Sequence, residues 1–232
     1  MREITLPINA AIDQLPHSLI QRSGGLFYSG PRAFEKKCPL YILGLNPGGS
    51  PTEMANATIQ QHISQWRSIS QPWSEYVDVS WQNKEPGTYG LQPRMKHLFA
   101  NLGIDLRAVP ASNCVFVRSI DETALAAEKA RLFEQCWPVH DAVIRSLGVH
   151  TILCLGGTAG KWVRKAIGAD RLLDRFVERN KRGWASEAHV AADGRAVVTL
   201  THPGRANWRN PVADPSELVR AVLDRRHHAL SA

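Results

Sequence analysis

The sequence predicts an α/β protein, a three-layer α/β/α sandwich on a mainly parallel, four-stranded central sheet. Three observations carry this expectation. Four short apolar runs stand out: residues 40–45 (LYILGL), 114–117 (CVFV), 151–155 (TILCL) and 196–200 (AVVTL). Each is continuous rather than alternating, the pattern of a strand buried on both faces. Segments with helical spacing of apolar residues separate the runs, and each run ends in a turn-forming or polar cluster: NPGGSP, RSIDE, GGTAG and THPGRANW. Strands alternating with helices argue for parallel pairing with helices on both faces.

Residues 40–45 form the first expected strand. Residues 50–90 are polar and rich in aromatics (Trp66, Trp73, Tyr76, Trp81, Tyr89), with too sparse a core for independence; they read as a partly helical insertion over the strand ends. Residues 93–102 set Met95, Leu98, Phe99 and Leu102 on one helical face. Residues 114–117 are the second expected strand. Residues 122–147 carry Leu125, Leu132, Phe133, Val139, Val143, Ile144 and Leu147 at helical spacing. Pro138 is expected to kink or divide that helix, because its ring removes a donor and crowds the preceding turn.

The third strand, 151–155, leads directly into a helix over 158–167. The junction GGTAGK falls short of a phosphate loop: Leu155 stands where a Gly is needed, and Trp162 where Ser or Thr must follow the Lys. A glycine turn that lets a helix approach a strand closely is the better reading. After the fourth strand, 196–200, the last helix has Asp214 as its cap and Pro215 at its first position. Leu218, Val219, Val222 and Leu223 form its inner face.

The chain has 232 residues and is expected to form one domain over 1–232. Hydrophobic residues at 44% and charged residues at 21% exclude a wholly disordered chain. No apolar run is long enough for a membrane-spanning helix, and the N-terminal segment lacks the apolar core of a secretory signal, so a cytoplasmic protein is expected. Basic residues number 28 against 21 acidic, a formal charge of +7, which favours polyanionic partners and nucleic acid first. Cys38, Cys114, Cys136 and Cys154 include no C-x-x-C pair. They read as free, mostly buried thiols in a reducing compartment, and no metal or other cofactor is expected.

Ligands of parallel α/β sheets bind outside the carboxyl ends of the strands. Two polar residues sit there between Pro and Gly: Asn46 in GLNPGG and His202 in THPGRAN. Rigid Pro-Gly turns bring backbone close to a ligand and hold a polar side chain over it. The segment Gly44-Leu45-Asn46-Pro47-Gly48 resembles the first motif of the uracil-DNA glycosylase superfamily, in its mismatch-specific and single-strand-selective branches. Residues 201–207, THPGRAN, resemble the second motif, H-P-S-P with the loop that enters the duplex. Asn113 falls where the superfamily keeps a base-reading Asn at the start of its middle strand. The order of motifs, helix, Asn strand, LCLGG strand and His motif agrees over about residues 38–212. Three departures are visible: Asn46 replaces the Asp of the strongest hydrolases, Gly49 replaces a bulky aromatic that excludes thymine, and H-P-G-R moves Arg205 one place early.

The resemblance implies a monofunctional DNA glycosylase, acting as a monomer on single- or double-stranded DNA, that hydrolyses the N-glycosidic bond of a flipped-out uracil and leaves an abasic site. It implies that Asn46 positions the attacking water and that a neutral His202 donates to the departing base. Asn113, Gly48, Gly49 and Tyr89 would bind the base, with Trp73, Tyr76 and Trp81 as further stacking candidates. Gly204, Arg205, Asn207, Trp208 and Arg209 would meet the DNA, with Arg205 or Trp208 filling the vacated stack. The basic clusters at 175–182 and 225–228 read as solvated faces or phosphate contacts. Two alternatives stay open: a glycosylase for a bulkier modified pyrimidine, such as a modified cytosine of phage DNA, and a non-catalytic DNA-binding module on the same fold.

Overall fold

The computed structural model describes residues 2–229, with side chains described for 4–225. Along the chain lie α1 (Arg2–Asp13), α2 (His17–Ile20), β1 (Leu40–Gly44), α3 (Ile59–Ser68), α4 (Glu75–Asp78), α5 (Gln92–Leu102) and β2 (Ala111–Asn113). They are followed by α6 (Lys129–Leu147), β3 (Thr151–Leu155), α7 (Gly157–Ile167), β4 (Arg171–Val177), β5 (Ala185–Val190), β6 (Ala196–Leu200) and α8 (Ser216–Ala229). The protein is therefore α/β, with six strands among the described residues rather than four. No helix among the described residues is long and apolar enough to cross a membrane. These elements group into two compact units, each discontinuous in sequence. One holds the described residues up to Trp73 together with Val109–Val149; the other holds Ser74–Ala108 and the described residues from His150 onward.

In the first unit β1 and β2 pair in parallel, with Ile42 opposite Ala111, Leu43 opposite Ser112 and Gly44 opposite Asn113. Every residue of β1 is buried, as its unbroken apolar run predicts. The expected strand at 114–117 is a correction: the β1–β2 ladder ends at Asn113, and CVFV is buried chain beyond the strand, with an isolated bridge from Val117 to Gly24. Its apolar character comes from core packing, while its backbone follows the 44–48 turn through Cys114 N–H to Gly44 O (2.8 Å) and Val115 N–H to Leu45 O (2.9 Å).

Helix α1 packs on α6, whose stripe Leu132, Cys136, Val139, Val143 and Leu147 is buried. Pro138 does not divide α6, which runs unbroken through it. Pro138 and Glu134 are both exposed, so water can reach the carbonyl that the ring leaves unbonded. His140 is fully buried on α6. Its Nδ1 pairs with Tyr41 Oη at 2.9 Å and its Nε2 with Cys114 O at 3.3 Å, which ties the helix to the backbone beside Asn113.

In the second unit β3 and β6 pair in parallel from Thr151 opposite Ala196 to Leu155 opposite Leu200. β5 pairs antiparallel with β6 and with β4. The sheet pairing is mostly parallel, as expected, and the two strands that the sequence did not reveal, β4 and β5, add the antiparallel pairs. β4 and β5 escape a search for apolar runs because RLLDRFV leaves four of its seven residues exposed and ASEAHV is interrupted by Ser186, Glu187 and His189. The glycine turn before α7 does admit close approach: a Cβ on Gly160 would stand 2.1 Å from Thr199 Oγ1. Helices α5 and α7 lie within a residue of their expected bounds, and α8 starts one residue after the expected Pro215. Asp214 caps α8 by accepting from Ser216 N–H at 2.9 Å.

The aromatic-rich stretch 50–90 is not a single insertion, since it divides between the units at residue 73. Trp66 belongs to the first core, tilted against Phe27, edge-on to Phe34 and donating to Ser29 O at 2.9 Å. Tyr76 belongs to the second, 2% exposed and edge-on to Trp81. All four cysteines are free and buried. Burial pushes the thiols of Cys38, Cys114 and Cys136 up, the last to about 12, so they are inert core groups.

Burial holds His62 and His140 each at a pKa of about 4, below the ordinary 6.5. The unfolded chain protonates both near 6.5, so between about 4 and 6.5 it binds more protons than the folded one, and stability must rise with pH across that window. Thermal melts should show Tm climbing from pH 4.5 to 7; a Tm that ignores pH there would contradict the burial of neutral imidazoles.

Candidate functional site

Two groups of the residues singled out by sequence are assembled locally, one in each unit. In the first unit the chain leaving β1 runs beside the chain leaving β2, and Asn46 projects from the first of these extensions. Its Nδ2 donates to Pro47 O (2.8 Å), Ser119 Oγ (2.8 Å) and, at the limit, Val117 O (3.4 Å). The Ser119 hydroxyl proton is engaged by Asp121 O at 2.7 Å, so Ser119 can only accept from Asn46. These acceptors fix the amide orientation. Asn46 Oδ1 accepts no hydrogen bond among the described residues and is left to hold a water. A carboxamide has no basicity to offer, so its action there is positional.

Asn113 ends β2, where it is 4% exposed. The sequence placed it at the start of a strand; it stands at the carboxyl end, the side on which such sheets bind ligands. The β1–β2 register sets it against Gly44, where a Cβ would lie 2.2 Å from Asn113 Oδ1. Any residue larger than glycine would displace the amide. Asn113 Nδ2 is buried without a hydrogen-bond partner. An unmet buried donor costs about 1–3 kcal/mol, which is recovered when an acceptor, such as a ligand carbonyl, docks against it.

Gly48 and Gly49 are exposed on the adjoining turn. Arg118 Nη1 donates to Gly48 O, and Arg118 Nε reaches Ser23 Oγ at 3.3 Å. Arg118 has no carboxylate partner among the described residues, so the turn carries a positive charge. That charge and, more strongly, burial keep His62 neutral. His62 Nδ1 accepts from Leu26 N–H at 3.2 Å, which places its proton on Nε2.

In the second unit His202 follows β6. Its Nδ1 accepts from Gly204 N–H at 3.0 Å, so the neutral ring carries its proton on Nε2 as a hydrogen-bond donor. Burial lowers its pKa, and the charges of Arg205 and Arg94 lower it further. A Cβ on Gly204 would stand 2.9 Å from Nδ1, which explains a glycine where H-P-S-P would have Ser. Arg94 of α5 grips the same turn, donating to Pro203 O at 2.6 Å. Arg182 holds it from the other side through Arg205 O at 2.8 Å.

Beyond the turn, exposure alternates along the chain. Arg205, Asn207 and Arg209 face solvent, while Ala206 and Trp208 point inward. Trp208 is therefore a correction: at 0% exposed it anchors the loop in the core and is no wedge. Among the stacking candidates Tyr76 is sealed within its unit, Trp73 and Trp81 are half-buried, and Tyr89 is 42% exposed.

The structure thus groups Asn46, Gly48, Gly49 and Asn113 in one unit, and His202, Gly204, Arg205, Asn207 and Arg209 in the other. Sequence reasoning missed the roles of Arg94, Arg118, His62 and Ser119, and saw Arg182 only as a member of the basic cluster 175–182. None belongs to a motif that marks its chemistry, and only the folded backbone brings each to its partners. No family model matches the chain, and no curated protein matches it.

Two measurements check this geometry. Arg94→Gln removes a cation beside His202, so the His202 pKa, followed by NMR titration, should rise toward 6.5; no change or a fall would contradict the assigned electrostatics. Gly44→Ala should shift the Asn113 side-chain amide resonances and lower Tm, and a spectrum and Tm like the parent's would show that the close approach is absent.

Proposed function

We propose that this protein is a monofunctional DNA glycosylase of the uracil-DNA glycosylase superfamily. It hydrolyses the N-glycosidic bond of a uracil flipped out of DNA and leaves an abasic site. The observation that carries this reading is the buried, unpartnered Nδ2 of Asn113 at a strand end, beside an Asn46 amide locked with its oxygen free. An orphaned donor calls for an acceptor; O4 of uracil supplies one, and the exocyclic amine of cytosine does not. The reading carries with it a three-layer arrangement, a single glycosylase-like domain over 1–232, a cytoplasmic location and a monomer acting on DNA.

The chemistry follows from the groups available. Extruding the nucleotide costs about a few kcal/mol, offset by contacts from the exposed Arg205, Asn207 and Arg209 and the backbone of Gly48, Gly49 and Gly204. With Trp208 buried, Arg205 is the residue left to fill the vacated stack. As the C1′–N bond breaks, its electrons pass to the base, and negative charge grows on O2. The Nε2–H of neutral His202 donates to that oxygen, a preorganised interaction worth on the order of 3–4 kcal/mol in the transition state. A water held by Asn46 Oδ1 adds to the cationic C1′ and releases its proton to solvent. Tyr89 is the exposed ring available to stack on the base.

One observation favours a second reading of the substrate. A Cβ on Gly48 would meet nothing within 4 Å, and Gly49 is exposed with no side chain. The turn that carries an exclusion aromatic in uracil-specific enzymes is open here, which suits a pyrimidine enlarged at its ring edge.

Incubation with uracil-containing single- and double-stranded oligonucleotides should release free uracil and leave alkali-labile sites. His202→Ala should slow release by on the order of 10²–10³-fold while DNA affinity is retained. Release from enlarged pyrimidines but not uracil would select the second reading. No base released from any substrate would overturn the glycosylase.

A further inference from the structure

The antiparallel hairpin β4–β5 has no place in the functional reading above, yet its tip is built and charged in a particular way. Glu178 N–H donates to Trp184 O at 2.8 Å and Gly183 N–H to Asn180 O at 3.2 Å, which closes the tip over residues 178–184. The buried Glu178 carboxylate accepts from Asn180 Nδ2 (2.7 Å) and Arg182 Nη2 (3.0 Å). So held, the Arg182 guanidinium lies 4.3 Å over the ring of Trp184, an indole that is 38% exposed. Three hydrogen bonds join the tip to the chain that follows His202: Arg182 Nη1 to Arg205 O at 2.8 Å, Arg179 N–H to Val212 O at 2.8 Å and, at the limit, Arg179 Nη2 to Pro211 O at 3.5 Å.

The tip also carries cations that no carboxylate answers. Elsewhere on this unit several arginines sit beside carboxylates, as in Arg195–Asp193 at 2.6 Å and Arg225–Asp174 at 3.5 Å. At the tip and the adjoining loop, Arg179, Lys181, Arg205 and Arg209 are exposed and have no carboxylate partner among the described residues. Unpaired cations beside an indole that has one face capped by a guanidinium suit a chain of phosphates carrying planar bases.

We infer that the hairpin tip is a second nucleic-acid contact. It holds an unpaired strand beyond the excised nucleotide, with phosphates on Arg179 and Lys181 and a base stacked on Trp184. The inference rests on the reading that the 202–209 loop meets DNA. Its contacts are separate from those that break the glycosidic bond.

The test is fluorescence anisotropy of the full chain with labelled, uracil-free oligo-dT over a series of salt concentrations, with uracil release measured in parallel. Trp184→Ala should weaken single-strand binding about tenfold, with Trp184→Phe restoring most of it. Arg179→Ala with Lys181→Ala should reduce the slope of log affinity on log salt by roughly 1.4, the value for two phosphates of a single strand. Binding unchanged in all three variants, with the parent still releasing uracil, overturns the hairpin contact and leaves the glycosylase standing. Binding lost in Trp184→Ala, with no base released from any substrate by the parent, upholds the contact and overturns the glycosylase. If poly-glutamate competes as well as oligo-dT, and as strongly against Trp184→Ala, the surface serves acidic proteins and the inference fails, as it does if the parent binds no single strand at all.

Discussion

The Asn113 carboxamide lies against the bare Cα of Gly44 with its nitrogen buried and unanswered, and much of the first unit is organised to keep it there. The parallel register of β1 and β2 brings the two residues level. His140 fastens the next carbonyl, that of Cys114, to α6, while Tyr41 occupies the other ring nitrogen. A buried donor left unmet works against folding, so it persists only where surrounding packing over-determines it. Here that packing is a fully buried strand, a long helix with an unbroken apolar stripe, and a glycine where any side chain would collide.

Polarity is distributed between the two units with opposite logic. Around Asn46 and Asn113 the protein spends amides, which neither gain nor lose protons and so act by position. Around His202 it spends charge on controlling one imidazole. Gly204 takes the Nδ1 lone pair, burial disfavours the cation, and Arg94 and Arg205 disfavour it further. All three push the same way, toward a neutral ring with a single outward donor. The same two arginines are tied into the turn, Arg94 by its side chain and Arg205 by its carbonyl, so electrostatics and geometry are set by the same groups.

How much of this was legible in the sequence depended on whether the signal was local. Three apolar runs became β1, β3 and β6 because strands buried on both faces need unbroken apolar sequence. CVFV obeyed the same composition rule without being a strand, since core packing selects apolar residues whatever the backbone does. β4 and β5 were invisible because an antiparallel hairpin with one wet face tolerates polar residues. Asn46, Asn113 and His202 could be picked out because turn motifs mark them. Arg94 and Arg118 could not, and Arg182 showed only as one cation of a basic cluster, since an arginine looks alike in sequence whether it is solvated or bonded to a distant carbonyl. Trp208 misled because an aromatic among arginines resembles a groove reader, whereas its alternation with exposed neighbours shows a residue anchoring a loop.

The central claim is that the Asn113 amide nitrogen waits for a base carbonyl, and the most direct measurement is heteronuclear NMR of that amide. With an oligonucleotide carrying a non-cleavable deoxyuridine analogue bound, its resonances should move downfield and exchange more slowly with solvent, while the same strand with deoxycytidine or no base at that position leaves them in place. Resonances that stay put while the analogue strand is bound would contradict the account.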